Sequence, residues 1–145
     1  MNVRVHLYTS AALSGILYAV TRSWQIAVSS FLSGIFIDID HILDFLLFSD
    51  EKFSVKNLFS WCCCGRWKKI TLLLHSYEIY FILIIITYYF PSEILLGILF
   101  GAGLHMILDQ ARNPACENLS RWFYFLSYRI YAGFSKENIK RRQDT

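Results

Sequence analysis

Residues 35–45 place three carboxylates and one imidazole in an otherwise apolar run, a combination that is capable of chemistry. On a helix, Asp38 and His41 are three residues apart and share one face, while Asp40 and Asp44 share a neighbouring face. Charged groups in an apolar setting are costly unless they pair with each other or bind a metal ion. Carboxylates mixed with an imidazole suit zinc, manganese or iron. A helix end that reaches water is the alternative explanation, and this segment alone leaves both open.

The composition predicts that this segment belongs to a membrane protein. Of the 145 residues, 55% are hydrophobic and only 17% are charged, and the mean hydropathy is +0.39. We expect one all-α integral membrane domain, a four-helix bundle with an additional amphipathic interfacial C-terminal helix, and no cleaved signal peptide. The predicted membrane spans lie at about residues 7–20, 24–48, 70–90 and 94–110.

The polar segments between and after the spans are predicted to lie at the membrane surface. Residues 49–69 are interpreted as an interfacial loop or short amphipathic helix, and residues 116–145 as an interfacial helix with a basic tail. Asn113 and Pro114 are predicted to end the fourth span. Within that span, Gly97 and Gly101 are four residues apart and are predicted to let another helix pack closely.

The distribution of basic residues predicts the orientation. Four spans place both termini on one side, and cytoplasmic segments carry an excess of lysine and arginine. If the amino terminus is cytoplasmic, thirteen of the fourteen lysines and arginines lie on that side, and only Arg22 lies outside. We therefore expect a multi-pass protein with both termini in the cytoplasm, located in a bacterial inner membrane.

This topology predicts that the polar groups of all four spans converge. His6 and His75 lie near the cytoplasmic starts of spans one and three. Asp38 lies 14 residues beyond Trp24, and His105 lies 14 residues beyond Pro91, which at about 1.5 Å per residue is roughly 21 Å into each crossing. Asp109 follows one turn after His105. One polar layer at the inner leaflet should therefore contain every histidine and several carboxylates, which favours a metal site over isolated solvated groups.

The predicted roles follow from the chemistry of each side chain. The carboxylates beside the ligands could serve as a general base or could orient a ligand imidazole, and these are Asp40, Asp44 and Glu78. Three arginines could bind phosphate oxygens or could simply be cytoplasmic charges that set the topology, and these are Arg112, Arg121 and Arg129. The predicted ligands of one to three divalent ions, most simply zinc, with manganese or iron as alternatives, are His6, Asp38, His41, His75, His105 and Asp109.

The order of these motifs resembles a known family. An amino-terminal His6 is followed by Asp-x-Asp-His at residues 38–41, His-Ser at residues 75–76 and Gly-x-His-x3-Asp at residues 103–109. This order is similar to that of the membrane-bound, metal-dependent hydrolases related to YdjM. The His-x3-Asp element also resembles the metal motif of zinc-dependent phospholipase C.

The resemblance covers roughly residues 1–110 and implies a function. Together with the predicted position of the polar layer at the inner leaflet, it implies a hydrolase that uses metal-activated water against a phosphoester of a lipid or lipid-linked substrate at the cytoplasmic leaflet, with membrane lipid as both environment and substrate. The chain departs from the family at residues 74–78, Leu-His-Ser-Tyr-Glu, where a His-Arg-Gly-x-Thr-His-Ser stretch is typical. One family ligand is therefore missing, and Glu78 is the residue that could replace it.

Three other functions are compatible with histidines and carboxylates on apolar helices. Histidines on facing helices can be axial ligands of haem, although a haem pocket has no need of a ring of carboxylates. Intramembrane Asp and His can form a proton or cation path, although such a path needs polar groups through the full thickness of the membrane. A metal ion can also stabilise a scaffold that has no catalytic activity.

Overall fold

The computed structural model describes residues 3–63, 66–117, 119–120 and 122–139, without the side chains of residues 3, 63 and 112–117. The prediction of an all-α fold is confirmed, because the described residues form helices and contain no strand; an isolated bridge joins Lys69 and Ser135. The helices are α1 (Val3–Thr21), α2 (Trp24–Phe36), α3 (Ile39–Phe48), α4 (Val55–Cys63), α5 (Tyr77–Tyr89), α6 (Glu93–Glu117), α7 (Leu126–Tyr131) and α8 (Lys136–Ile139).

The chain divides into two compact units, each built from two separate stretches of sequence. The helical unit contains residues 3–37 and 78–109, which include α1, α2, α5 and most of α6. The loop unit contains residues 38–77 and 110–139, which include α3, α4, α7 and α8 and the longer connections. The helical unit carries only five charged side chains, which are Arg4, Arg22, Glu78, Glu93 and Asp109.

Two of the predicted spans are interrupted. The segment from residue 24 to 48 is not one helix, because α2 ends at Phe36 and a turn at Ile37 and Asp38 precedes α3. Of the predicted third span, only the part from Tyr77 onward is helical, and residues 70–76 form no helix. Four backbone N–H groups of this segment, those of Thr71, Leu72, Leu74 and His75, donate to carboxylates of α3, which supply the partners that a helix would otherwise provide.

The end of the fourth helix and the C-terminal region also differ from prediction. The prediction that Asn113 and Pro114 end the helix is wrong, since α6 continues to Glu117. A proline so near the carboxyl end removes one N–H from the final turns only. The single interfacial helix predicted within residues 116–145 is replaced by two short helices, α7 and α8, with a turn at Gly133 between them (φ +63°).

Aromatic side chains form the interior of the loop unit. Phe45 of α3 is fully buried and meets the Trp61 ring edge to face, with 5.7 Å between the ring centroids. Two backbone hydrogen bonds join residues 68–70 to residues 134–136. The Ile70 N–H donates to the Phe134 carbonyl (3.1 Å), and the Lys136 N–H donates to the Lys68 carbonyl (3.0 Å). Ile70 and Leu72 of the segment before α5 line one small cavity together with Trp61.

Small residues form the contact between α2 and α6, and the predicted role of the two glycines is confirmed. A Cβ atom at Gly97 would collide with the Ser29 side chain, and one at Gly101 would collide with the Ser30 carbonyl. The Ser33 hydroxyl donates across the same contact to the Ile98 carbonyl (3.2 Å). The small residues therefore let the two backbones approach closely, as small residues do in membrane helix pairs.

Apolar side chains dominate the outside of the helical unit. No residue of α5 is buried, and Phe81, Ile82 and Ile86 are 61%, 49% and 41% exposed. One stretch of the described chain, Glu93–Ala111, is long and apolar enough to cross a membrane by length and composition, whereas Tyr77–Tyr89 is apolar but shorter. One such helix does not establish the four-span topology, which stays a prediction.

We expect Gly101→Ala to destabilise the protein by about 1–3 kcal/mol, because the added methyl group forces α2 away from α6. Thermal unfolding of the full chain in detergent measures the change. Gly15→Ala is the matched control, since a Cβ atom there meets nothing within 4 Å, and better helix propensity should stabilise it by up to about 1 kcal/mol. Equal unfolding temperatures for Gly101→Ala and the unaltered chain would contradict the close packing.

Candidate metal centre

The six predicted metal ligands form two sets of three, and each set lies within one unit. In each set, one ligand atom per residue can be chosen so that all three lie within 4.8 Å of one another. We call Asp38, His41 and His75 of the loop unit the loop site. We call His6, His105 and Asp109 of the helical unit the helical site. His/Asp groups that could hold a metal ion are therefore present, as the sequence predicted.

The loop site is built by the break between α2 and α3 and by the segment before α5. Asp38 precedes α3 directly, and its Oδ1 atom lies 3.8 Å from His41 Nε2 and 3.5 Å from His75 Nε2. The two imidazole rings are tilted by 58° with centroids 5.1 Å apart. Both Nε2 atoms therefore face the same carboxylate oxygen.

Exposure within the loop site is uneven. The His75 side chain is completely buried, whereas the side chains of His41 and Asp38 are 14% and 21% exposed. One end of the site is therefore anchored in the protein, and the other end is accessible.

Asp40 orients His75 from the side opposite to Asp38. Its Oδ2 atom lies 3.4 Å from His75 Nδ1 and also accepts the backbone N–H groups of Leu74 and His75. A carboxylate at Nδ1 favours the tautomer with the proton on Nδ1, in which Nε2 is the nitrogen that can bind a metal ion. The sequence left two roles open for Asp40, a general base or a residue that orients a ligand imidazole. Its contacts match the second role.

Asp44, one turn after Asp40, holds the backbone of the same segment. Its two oxygens accept the hydroxyl and the N–H of Thr71 and the N–H of Leu72, the last at 3.1 Å. Both oxygens are engaged in positioning residues 71–72, and these contacts give no support to the predicted role of Asp44 as a base.

The helical site joins α1 to α6. The Nε2 atom of His6 lies 3.2 Å from Asp109 Oδ1, and the Nε2 atom of His105 lies 3.7 Å from Asp109 Oδ2. The two imidazoles are stacked with their centroids 4.2 Å apart. His105 Nδ1 lies 2.8 Å from the carbonyl oxygen of Gly34 in α2.

The distances fit a small divalent ion. With bonds of about 2.0–2.1 Å, two donor atoms on one tetrahedral zinc ion are about 3.3 Å apart. The nitrogen–oxygen distances in the two sites run from 3.2 to 3.8 Å, near that edge length. Both donor sets are also chemically suitable, since imidazole and carboxylate are the non-thiol ligands that zinc prefers.

The remaining predicted site residues are not members of either His/Asp set. Glu78 is half-buried in the first turn of α5 and belongs to neither set, so its role as a base or replacement ligand stays a prediction. Arg129 is fully buried and lies over the Phe123 ring at 5.5 Å, inside the loop unit. The side chain of Arg112 and the whole of Arg121 lie outside the described residues.

Sequence reasoning missed the backbone partners of the two sites. The Gly34 carbonyl and the N–H groups of Thr71 and Leu72 carry no side-chain signal by which they could be recognised. It also missed a small cavity beside His41, with a volume of about 20 Å³, enough for roughly one water molecule. The other residues that line this cavity are Trp61, Cys62, Trp67, Ile70, Leu72, Leu119 and Phe123.

No known protein-family model, no curated protein and no solved structure matches this chain.

We expect Asp40→Asn to weaken zinc binding at the loop site by about 10–100-fold, because an amide orients and polarises His75 less well than a carboxylate. Competition with a chromophoric chelator measures the affinity. Asp50→Asn is the control, because the Asp50 side chain is 94% exposed and pairs only loosely with Lys68 at 3.6 Å. Unchanged affinity in Asp40→Asn would remove the assignment of Asp40 as the residue that orients His75.

Proposed function

We propose that this protein is a membrane-embedded, metal-dependent hydrolase that cleaves a phosphoester of a lipid or lipid-linked substrate, with its reaction centre at the loop site. The observation that carries the proposal is the uneven exposure of this site, in which His75 is buried while Asp38 and His41 remain accessible. Catalytic metal sites keep one coordination position open for water or substrate, whereas structural sites are closed.

The residues in and around the loop site would have different roles in such a reaction. Asp38, His41 and His75 would hold a divalent ion, most simply zinc, which supplies a bound water of lowered pKa and polarises the phosphoryl group. Asp40 keeps the proton of His75 on Nδ1, so that Nε2 is available as a ligand. Asp44 maintains the position of the segment before His75 through Thr71 and Leu72. The motif resemblance to YdjM-related hydrolases and to zinc-dependent phospholipase C supports the choice of a phosphoester.

The surface of the helical unit supports a membrane location. Large apolar side chains are exposed along α1, α2 and α5, which would be unfavourable in water over such an area. Within this unit lie only two of the fourteen basic residues, and the other twelve lie at sequence positions 38–77 and 110–145. A multi-pass arrangement with both termini in the cytoplasm of a bacterium accounts for this division through the positive-inside rule. A lipid phosphate is the substrate class that such a location favours.

Haem ligation is disfavoured by the geometry within each site. The two axial imidazoles of a haem lie on opposite faces of the porphyrin. The paired imidazoles are only 4.2 and 5.1 Å apart, and each pair shares a carboxylate. Neither pair leaves room for a porphyrin between its rings.

Hydrolysis by the purified full chain in liposomes tests the proposal. Zinc-loaded protein is expected to release inorganic phosphate from phosphatidic acid, or diacylglycerol from phosphatidylcholine, and a chelator should abolish the release reversibly. Replacing His41 or Asp38 with Ala should reduce the rate at least about 100-fold, because each removes a ligand.

Two controls make the hydrolysis experiment decisive. Asp50→Ala removes an exposed carboxylate of the same unit and should retain the full rate. Full activity in both His41→Ala and Asp38→Ala would show that the activity comes from elsewhere, and release that a chelator cannot reduce would exclude metal-dependent catalysis. No release from either lipid by zinc-loaded protein would overturn the proposed substrate class.

A further inference from the structure

We propose that α3 carries a membrane-binding surface, by which the loop unit inserts apolar side chains into a leaflet of anionic phospholipid. We call it the α3 surface, and it consists of four large, exposed apolar residues: Ile39, Leu43, Leu46 and Leu47. The phosphate groups of the lipid would contact lysines of the segment that follows α3. The inference rests on the membrane location proposed above, but it concerns lipid binding and not hydrolysis.

The two faces of α3 have opposite character. The residues of the α3 surface stand at positions i, i+4, i+7 and i+8 along the helix, and they are between 46% and 70% exposed. The other face carries the buried Asp40, Asp44 and Phe45. On a helix surrounded by water, leucines would face inward and carboxylates outward. The observed order is expected where the carboxylates bind the interior and the outer face meets lipid.

The segment before α5 adds two exposed leucines next to the loop site. Leu73 and Leu74 are 52% and 41% exposed, and the Leu74 N–H donates to a carboxylate of α3, which fixes this backbone beside the helix. Leu74 directly precedes His75 in the chain, and Ile39 directly follows Asp38. Since consecutive Cα atoms are about 3.8 Å apart, insertion of these apolar residues would hold the loop site close to the lipid headgroups.

The charges that follow α3 indicate the class of lipid. Residues 49–69 contain five basic and two acidic residues. Both acidic side chains are paired within the segment, Asp50 with Lys68 (3.6 Å) and Glu51 with Arg66 (3.1 Å). Three further lysines are exposed and form no ion pair with any other residue that the structure describes: Lys52, Lys56 and Lys69. Such ammonium groups attract anionic lipids more strongly than zwitterionic lipids, whose own amines compensate the phosphate charge.

Aromatic packing keeps two of these lysines near α3. Phe53, the residue after Lys52, meets the buried Phe45 ring of α3 edge to face, with 6.0 Å between the ring centroids. Lys56 lies in the first turn of α4, and Trp61 of the same helix packs against the same Phe45 ring. Apolar side chains in the acyl region with lysines at the headgroups is the arrangement of helices that lie in the membrane interface.

Photo-crosslinking of the full chain in liposomes tests the α3 surface without an assay of hydrolysis. Leu43 and Leu47 are replaced, one at a time, by p-benzoylphenylalanine, whose excited ketone reacts with neighbouring C–H bonds. Both variants should form adducts with lipid acyl chains, which mass spectrometry detects. Phe81→p-benzoylphenylalanine on the exposed side of α5 is the positive control for the membrane location. Glu137→p-benzoylphenylalanine, at an exposed charged position of the loop unit, should form no lipid adduct.

The lysines are tested in liposomes made of equal parts of phosphatidylcholine and phosphatidylglycerol. Adducts at Leu47 should contain phosphatidylglycerol in excess of its share of the liposome, with each lysine contributing up to about a fivefold preference. Lys52→Gln combined with Lys56→Gln should remove most of this excess, whereas the corresponding Lys→Arg pair, which keeps both charges, should retain it. An unchanged excess in the glutamine variant would contradict the assignment of anionic lipid to these lysines.

The controls separate failure of this inference from failure of the proposed membrane location. Lipid adducts at Phe81 with none at Leu43 or Leu47 would overturn the α3 surface alone. Adducts at Glu137 as abundant as those at Leu47 would also overturn it, because α3 would then not be the inserting element. Cross-linked dimers at Leu43 and Leu47 in place of lipid adducts would assign the surface to a second copy of the chain. No lipid adduct at Phe81 would overturn the membrane location, and this inference with it.

Discussion

The structure depends most on the hydrogen bonds from residues 71–75 to two carboxylates of α3. Asp44 accepts from Thr71 and Leu72, and Asp40 accepts from Leu74 and His75. A non-helical segment that enters an apolar region must satisfy its backbone donors, and here one helix face provides the acceptors. The same Asp40 also holds the imidazole of His75. Asp40 and Asp44 therefore provide hydrogen-bond acceptors for the backbone, and Asp40 also orients the imidazole of His75.

This arrangement explains why the chain tolerates so many buried ionisable groups. A buried carboxylate is costly when it is alone, and much less so when it accepts several hydrogen bonds. Asp40 and Asp44 meet that condition through the backbone, whereas Asp38 and Asp109 face imidazoles. Asp40 and Asp44 thus bind the backbone, and Asp38, Asp40 and Asp109 face imidazole nitrogens.

The residue types were sufficient to predict the helical fold and all six members of the two His/Asp sets, because histidine and aspartate in apolar sequence are rare and costly. Their division into two sets was not predictable from positions along ideal spans. That estimate counted residues along ideal helices, and it did not include the turn at Asp38 or the non-helical segment before Tyr77, which build the loop site. Periodicity cannot detect such a loop, because its apolar residues, Leu72 to Leu74, also fit a membrane helix.

The exposure of α5 has a consequence for how this sequence can change over evolutionary time. Since none of its residues is buried, most positions require only an apolar side chain, and isoleucine, leucine and phenylalanine are interchangeable there. Tyr80 differs, because its hydroxyl donates to the Leu99 carbonyl and occupies the space left by Gly103. Most positions of this helix can therefore accept other apolar residues without a change of structure. Related sequences would then agree mainly at a few polar and glycine positions.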